Sequence, residues 1–176
     1  AKALITVHCS AYDEPTLSRR LFGPTEETDS FLPAFEEAKG GTLILEDIER
    51  LPIDIQGKLL NRLVALENSS EIRLITISNN SSPTFVKKIL RDDLYFRLSS
   101  LKISVPSLRK RGNDIIDLFS QYALSFAEEY GCLPPVLTSE QTSQLMQAPW
   151  PGNVRQLITV AEQIIIQSRR GELNLS

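Results

Sequence analysis

Cysteine is scarce in this chain: Cys9 and Cys132 are the only two in 176 residues, far apart and with neither CxxC spacing nor histidine company. That pattern excludes a disulfide framework and a cysteine–histidine metal site, and it suits a reducing compartment in which both thiols act as small buried hydrophobes. Positive charge is not in excess either, since 19 Lys and Arg stand against 22 Asp and Glu, a formal net charge of -3. Without a broad basic field, the segment lacks the electrostatic footprint of a chain whose own surface grips nucleic acid. No apolar run approaches the ~20 residues that span a bilayer, and the first residues have no basic stretch leading into an apolar one. A cytoplasmic protein without membrane contact is expected, with any DNA contact outside these residues.

What is present fits a folded α/β chain. Hydrophobic residues make up 41% and charged residues 23%, enough to bury a core as one domain or as a domain plus a small subdomain. Four short runs rich in branched residues, Leu4 to Cys9, Thr42 to Leu45, Leu74 to Ile77 and Leu101 to Val105, read as strands covered on both faces of a parallel sheet. Helical patterns lie between them: Pro52 suits a first turn, after which Ile55, Leu59, Leu63 and Leu66 recur at spacings of three and four. Beyond Pro106 only helical patterns remain. Residues 1–106 therefore read as an α/β domain and residues 107–176 as a smaller all-helical unit. In that unit Asn113 is placed to cap a helix that Gly131 ends, and Thr138 with Gln141, then Asn153 with Gln156, are capping-box pairs. The stretch Gly23 to Ser30 reads as an exposed acidic loop.

The string Gly40-Gly41-Thr42-Leu43-Ile44-Leu45-Glu46-Asp47-Ile48 carries the most chemistry. A strand that delivers two adjacent acids at its C-terminal end is what phosphoryl-transfer sites use to hold hydrated Mg²⁺ and orient an attacking water. The plain alternative is a pair of solvated carboxylates.

Further strings follow in order: Leu21-Phe22-Gly23, GGTLILEDIERLP, IQGKLL, RLITISN, LRDDLYFRL, VPSLRKRGNDI and, from Pro149 to Leu157, PWPGNVRQL. This series resembles the successive signatures of the sigma-54-dependent activators, the bacterial enhancer-binding proteins, and covers nearly the whole chain. The resemblance implies a Rossmann-like AAA+ α/β domain with a helical lid, working as a homo-oligomeric ring that uses ATP to remodel sigma-54 RNA polymerase, with DNA bound by a helix-turn-helix beyond Ser176. Carried over by position, it gives the acid pair to Glu46, on the Mg²⁺ side, and Asp47. It gives the γ-phosphate sensor to Asn79, arginine-finger positions to Arg91 and Arg97, and a second nucleotide sensor to Arg155. A guanidinium suits such roles because it stays charged and its planar fork grips phosphate oxygens in pairs. The plain readings are that Arg97 and Arg155 bridge subdomains and that Asn79 caps a turn.

Four departures from the family pattern set expectations of their own. No GxxxxGK[ST] string occurs, so these residues have no amide nest, lysine or hydroxyl for the phosphates and Mg²⁺, and ATP with Mg²⁺ is expected only with residues upstream. The acids come as Glu then Asp where the family has Asp then Glu, which displaces each carboxylate by ~1 Å. His8 stands where the family usually has an asparagine; it reads most simply as a strand-end residue. Between Phe22-Gly23 and Phe35-Glu36 the string PTEETDSFLPA replaces the GAFTGA loop that touches sigma-54, so remodelling of sigma-54 polymerase is not expected. The family's first strand, which lies between those matching Leu74 to Ile77 and Leu101 to Val105, is missing. Upstream residues, direct pairing of the two flanking strands, or a partner chain are expected to fill the gap, because unpaired backbone groups cost about 1–3 kcal/mol each when buried. An oligomerising, signal-relaying module that does not hydrolyse ATP is expected, with an active ATPase completed from upstream as the alternative.

Overall fold

The computed structural model describes residues 2–24, 32–66, 71–80 and 82–170, so most of the acidic loop read at Gly23 to Ser30 lies outside the described residues. Two compact units share the chain, residues 1–103 and residues 104–176. The first is built on a parallel sheet of three strands, β1 (Leu4–His8), β2 (Thr42–Glu46) and β3 (Arg73–Ile77), in that spatial order. Around it run α1 (Glu14–Phe22), α2 (Ala34–Glu37), α3 (Ile53–Leu66), α4 (Pro83–Ile89) and α5 (Asp92–Leu98).

Register is set at the start of β2. Thr42 N–H donates to the Ala3 carbonyl at 2.8 Å, and the Gly41 carbonyl accepts from Arg73 N–H at 2.9 Å. A side chain at position 41 would put its Cβ 2.0 Å from the Ala3 oxygen, so only glycine lets the three strands close up here. The paired rows then alternate. Ile5, Leu43 and Leu74 form one row and Val7, Leu45 and Thr76 another, both turned into the core, where Leu43 and Leu45 are fully buried. Leu17, Leu21, Phe35, Ile55, Leu59 and Leu94 pack with them in one hydrophobic cluster.

Two sequence expectations change here. The rows Leu4–Thr42–Arg73, Thr6–Ile44–Ile75 and His8–Glu46–Ile77 are only half-buried or exposed, so the strands are covered on one face rather than two. Leu101 to Val105 is not a strand: Leu101, Ile103 and Val105 are each more than four-fifths exposed, and the sheet stops at β3. An extended run becomes a strand only with a lateral neighbour for its backbone groups, and the direct pairing with β3 does not form.

The second unit holds α6 (Asp114–Tyr130), α7 (Ser139–Gln147) and α8 (Asn153–Arg170). Its core gathers Ile115, Phe119, Leu145, Trp150, Leu157 and Ile165. Thr138 and Gln141 form the full reciprocal capping box at α7, and Gly131, at φ 63, ends α6 in the left-handed conformation. Asn113 makes no capping bond because it is already helical, at φ -63 and ψ -21. At α8 the box is displaced by one residue: Gln156 Oε1 accepts from Gly152 N–H at 3.0 Å, while the Asn153 side chain accepts from Leu108 N–H at 2.9 Å. Cys9 is buried, and Cys132 is half-buried against the lid core. Among the described residues no helix is long and apolar enough to cross a membrane.

Candidate functional site at the carboxyl ends of the strands

Parallel strands in register deliver their last residues to one edge, so the chemistry of this sheet collects where β1, β2 and β3 end. His8 and Glu46 are direct partners across β1 and β2, and His8 Nδ1 lies 2.9 Å from Glu46 Oε2. The next residue leaves the sheet sharply. Asp47 adopts the left-handed conformation, φ 57 and ψ 45, which an aspartate tolerates better than most residues, and it opens a 3-10 turn over Ile48–Arg50.

That turn aims Asp47 into an open cleft of about 580 Å³ lined by Cys9, Ser10, Tyr12, Asp47, Glu49, Arg50 and Asn79. Both Asp47 oxygens are engaged by protein donors: the Ser10 hydroxyl donates to Oδ2 and the Asn79 side-chain amide to Oδ1. The Ser10 hydroxyl foremost, then the Asn79 amide and the nearby His8 and Arg50, hold the Asp47 carboxyl below its usual range against an opposing desolvation. A carboxylate so stabilised is a weaker base. Glu49, two residues on, accepts from Asn79 backbone N–H through Oε1 at 3.2 Å, while its Oε2 is buried without a protein donor. Burial, followed by the Asp47 charge, pushes the Cys9 thiol up to about 12, so it is neutral and unreactive here.

The residues named from sequence are therefore divided. Asp47 and Asn79 meet in the cleft, whereas Glu46 stands on the adjoining strand end with His8. Arg91 begins α5, its guanidinium paired with Asp93 at 2.8 Å and its backbone N–H held by Gln56 at 2.8 Å. Arg97 lies in the last turn of the same helix. Arg155 is exposed in the first turn of α8, in the other unit. Neither Arg91 nor Arg97 lines the cleft.

Ser10 and Glu49 were missed by sequence reasoning. The usable signal was positional: Ser10 comes two residues after a strand end, and Glu49 two residues after the acid pair. Both Asp47 oxygens accept from Ser10 and Asn79, and among the described residues no group of three or more His, Cys, Asp or Glu is placed to hold a metal by protein ligands alone.

Residues 14–108 match the family described as the Sigma-54 interaction domain, and residues 109–176 match the AAA+ ATPase lid domain. Among curated proteins, the nitrogen fixation protein AnfA of Azotobacter vinelandii is 34% identical, over 94% of this chain and 34% of its own length. The regulatory protein WtsA of Pantoea stewartii subsp. stewartii is 33% identical over 93% of the chain and 55% of its own. The transcriptional regulator NtrC of Bradyrhizobium is 32% identical over 91% and 36%. The chain thus spans about a third to a half of the length of these relatives. Among solved structures, NtrX from Brucella abortus superposes with a TM-score of 0.79 at 28% identity, over 96% of this chain and 40% of that one. The same protein in complex with ATP gives a TM-score of 0.77. With its ordered strings matched across both units, the chain belongs to the sigma-54 interaction domain family, the AAA+ module of sigma-54-dependent activators, followed by that module's lid domain.

Proposed function

We propose that this chain is the oligomerising, signal-relaying AAA+ module of a bacterial transcription regulator and does not hydrolyse ATP with its own residues. The observation that carries the reading is the state of the acid pair. Asp47, in the water-orienting position, has both oxygens committed to Ser10 and Asn79, and Glu46 faces His8. A general base works best with a pKa near working pH, and the Ser10 and Asn79 contacts hold the Asp47 carboxyl below its usual range. The string PTEETDSFLPA, where the family's sigma-54-contacting loop stands, bears on output and supports a module that relays a signal rather than one that remodels sigma-54 polymerase. In this reading the module contacts other copies of itself, and DNA is bound by a helix-turn-helix elsewhere in the protein.

Phosphate release from the full-length protein at saturating Mg·ATP is expected to stay at background. Sustained turnover that disappears in Asp47→Asn would overturn the proposal. One observation favours a second reading, in which residues outside 1–176 complete an active ATPase. The outer edge of β3 is unpaired and Ile75 and Ile77 beside it are exposed, leaving room for a further parallel strand. The same assay decides between the two.

A further inference from the structure

We infer that Glu49 is a positioning residue of the cleft: it holds the Asn79 backbone so that the Asn79 side-chain amide stays docked on Asp47. The inference deepens the function proposed above, because it names the group that keeps Asn79 on Asp47.

Three observations carry it. Pairing between β2 and β3 ends at Glu46 and Ile77, so Asn79 N–H lies two residues beyond the last ladder position and takes its acceptor from outside the ladder. Glu49 Oε1 supplies it at 3.2 Å. Asp47 and Glu49 belong to one short turn, in which Asp47 is the left-handed residue that opens the turn and Glu49 its second member. Asn79 is thus gripped twice from a single rigid piece of backbone, at its main chain by Glu49 and at its side chain by Asp47. Lastly, Glu49 Oε2 is buried with no protein donor, an arrangement that costs stability. Of the two Glu49 carboxylate oxygens, Oε1 is the one with a protein donor, the Asn79 backbone N–H.

The consequence is regulatory. A ligand oxygen that takes the particular Asn79 N–H now given to Asp47 must displace that carboxylate, and Glu49, by holding the Asn79 backbone, opposes the shift. Removing Glu49 frees Asn79 without touching Asp47 or Ser10.

The test is nitrogen–proton correlation NMR on the full chain, with the Asn79 side-chain amide pair assigned by its loss in Asn79→Ala. In Glu49→Ala that pair is expected to move at least half of the way to its position in Asp47→Ala, where the acceptor is gone. Glu49→Gln is expected to leave the pair at its wild-type position, because Oε1 still accepts from the Asn79 backbone. A pair unmoved in Glu49→Ala overturns the inference. So does a pair that moves as far in Glu49→Gln as in Glu49→Ala, since charge and not the acceptor would then be responsible. Should Glu49→Ala fail to fold, hydrogen exchange at Asn79 N–H in the wild-type chain decides: protection supports the contact, and exchange at the rate of an open amide overturns it. ATP turnover by the full-length protein would sink the proposed function and leave this contact standing, whereas an unmoved Asn79 pair would do the reverse.

Discussion

Gln56 is the one buried polar side chain in the described core, 2% exposed, and replacing it with leucine tests how α5 and its arginines are held. Its Nε2 donates to the Leu51 carbonyl at 2.9 Å and to the Ile89 carbonyl at 3.3 Å, and its Oε1 accepts from Arg91 N–H at 2.8 Å. One side chain on α3 therefore ties the entry of its own helix, the end of α4 and the start of α5. Leucine has nearly the same volume, so Gln56→Leu removes three hydrogen bonds without opening a cavity. At a net ~1 kcal/mol per bond the loss is about 3 kcal/mol, which is a floor because three backbone groups are left unpaired. At a slope of about 2 kcal/mol/M the urea midpoint falls by roughly 1.5 M. Circular dichroism is the signal of choice, because the single tryptophan, Trp150, sits in the lid core and does not report on α3. Hydrogen exchange at Arg91 N–H should accelerate in parallel. A destabilisation below about 1 kcal/mol with unchanged exchange at Arg91 would refute the claim that Gln56 anchors α5.

Other expected outcomes follow from single contacts. Gly41→Ala places a Cβ 2.0 Å from the Ala3 carbonyl and should abolish cooperative unfolding of the sheet unit; a wild-type urea midpoint would show that the strands adjust. Native chain treated with a thiol reagent at pH 8 should expose Cys132 first and Cys9 only on unfolding, because burial keeps the Cys9 thiol neutral up to about 12. The folded state then holds a proton that the unfolded thiol has lost, so stability falls as pH rises from the thiol's ordinary 9.0 towards about 12, and Cys9→Ala should flatten that alkaline slope in urea titrations. Asp47 has the opposite sign. Its depressed folded pKa contributes stability above the ordinary carboxylate range that is lost as pH falls through the folded value, and Asp47→Asn should remove part of the acid-side slope. The double exchange Glu46→Asp with Asp47→Glu, which restores the family's order of acids, should not by itself give phosphate release in the full-length protein; measurable turnover from that change alone would place the defect in the acids only.

The three observed strands were legible because branched residues concentrate in them, and α3, α6 and α8 because their apolar positions recur at three and four. Thr138 and Gln141 were legible as a capping box because both partners lie within one turn of chain. The failures share a cause. Whether Leu101 to Val105 becomes a strand depends on a lateral partner, and whether Ile44 and Ile75 are covered depends on what packs above them; neither fact is written in the local pattern. Asn113 has the right side chain for a cap but helical backbone angles, and only the path of the preceding chain sets those. Within the site, Glu46, Asp47 and Asn79 could be placed by their order along the chain. Ser10 and Glu49 could not, since a serine after a strand and a glutamate in a turn are common. What gives them meaning is the β1–β2 register, which brings residue 10 beside residue 47, and the left-handed kink at Asp47, which turns residue 49 towards residue 79.

The exchanged acids and their neighbours form one consistent set. A strand-end glutamate opposite His8 reaches the imidazole at 2.9 Å; an aspartate there, roughly 1 Å shorter along its chain, would fall short of that contact. At position 47 the shorter acid is the one that suits the space, because its oxygens meet donors from Ser10 on one side and Asn79 on the other while the backbone takes the left-handed turn. His8, Ser10 and Glu49 therefore accompany the Glu–Asp order, each providing a contact that this order makes possible or leaves room for. The three strand ends are thus joined, β1 to β2 through His8–Glu46 and Ser10–Asp47 and β2 to β3 through Asp47–Asn79, and the stability of that joint is the property to measure.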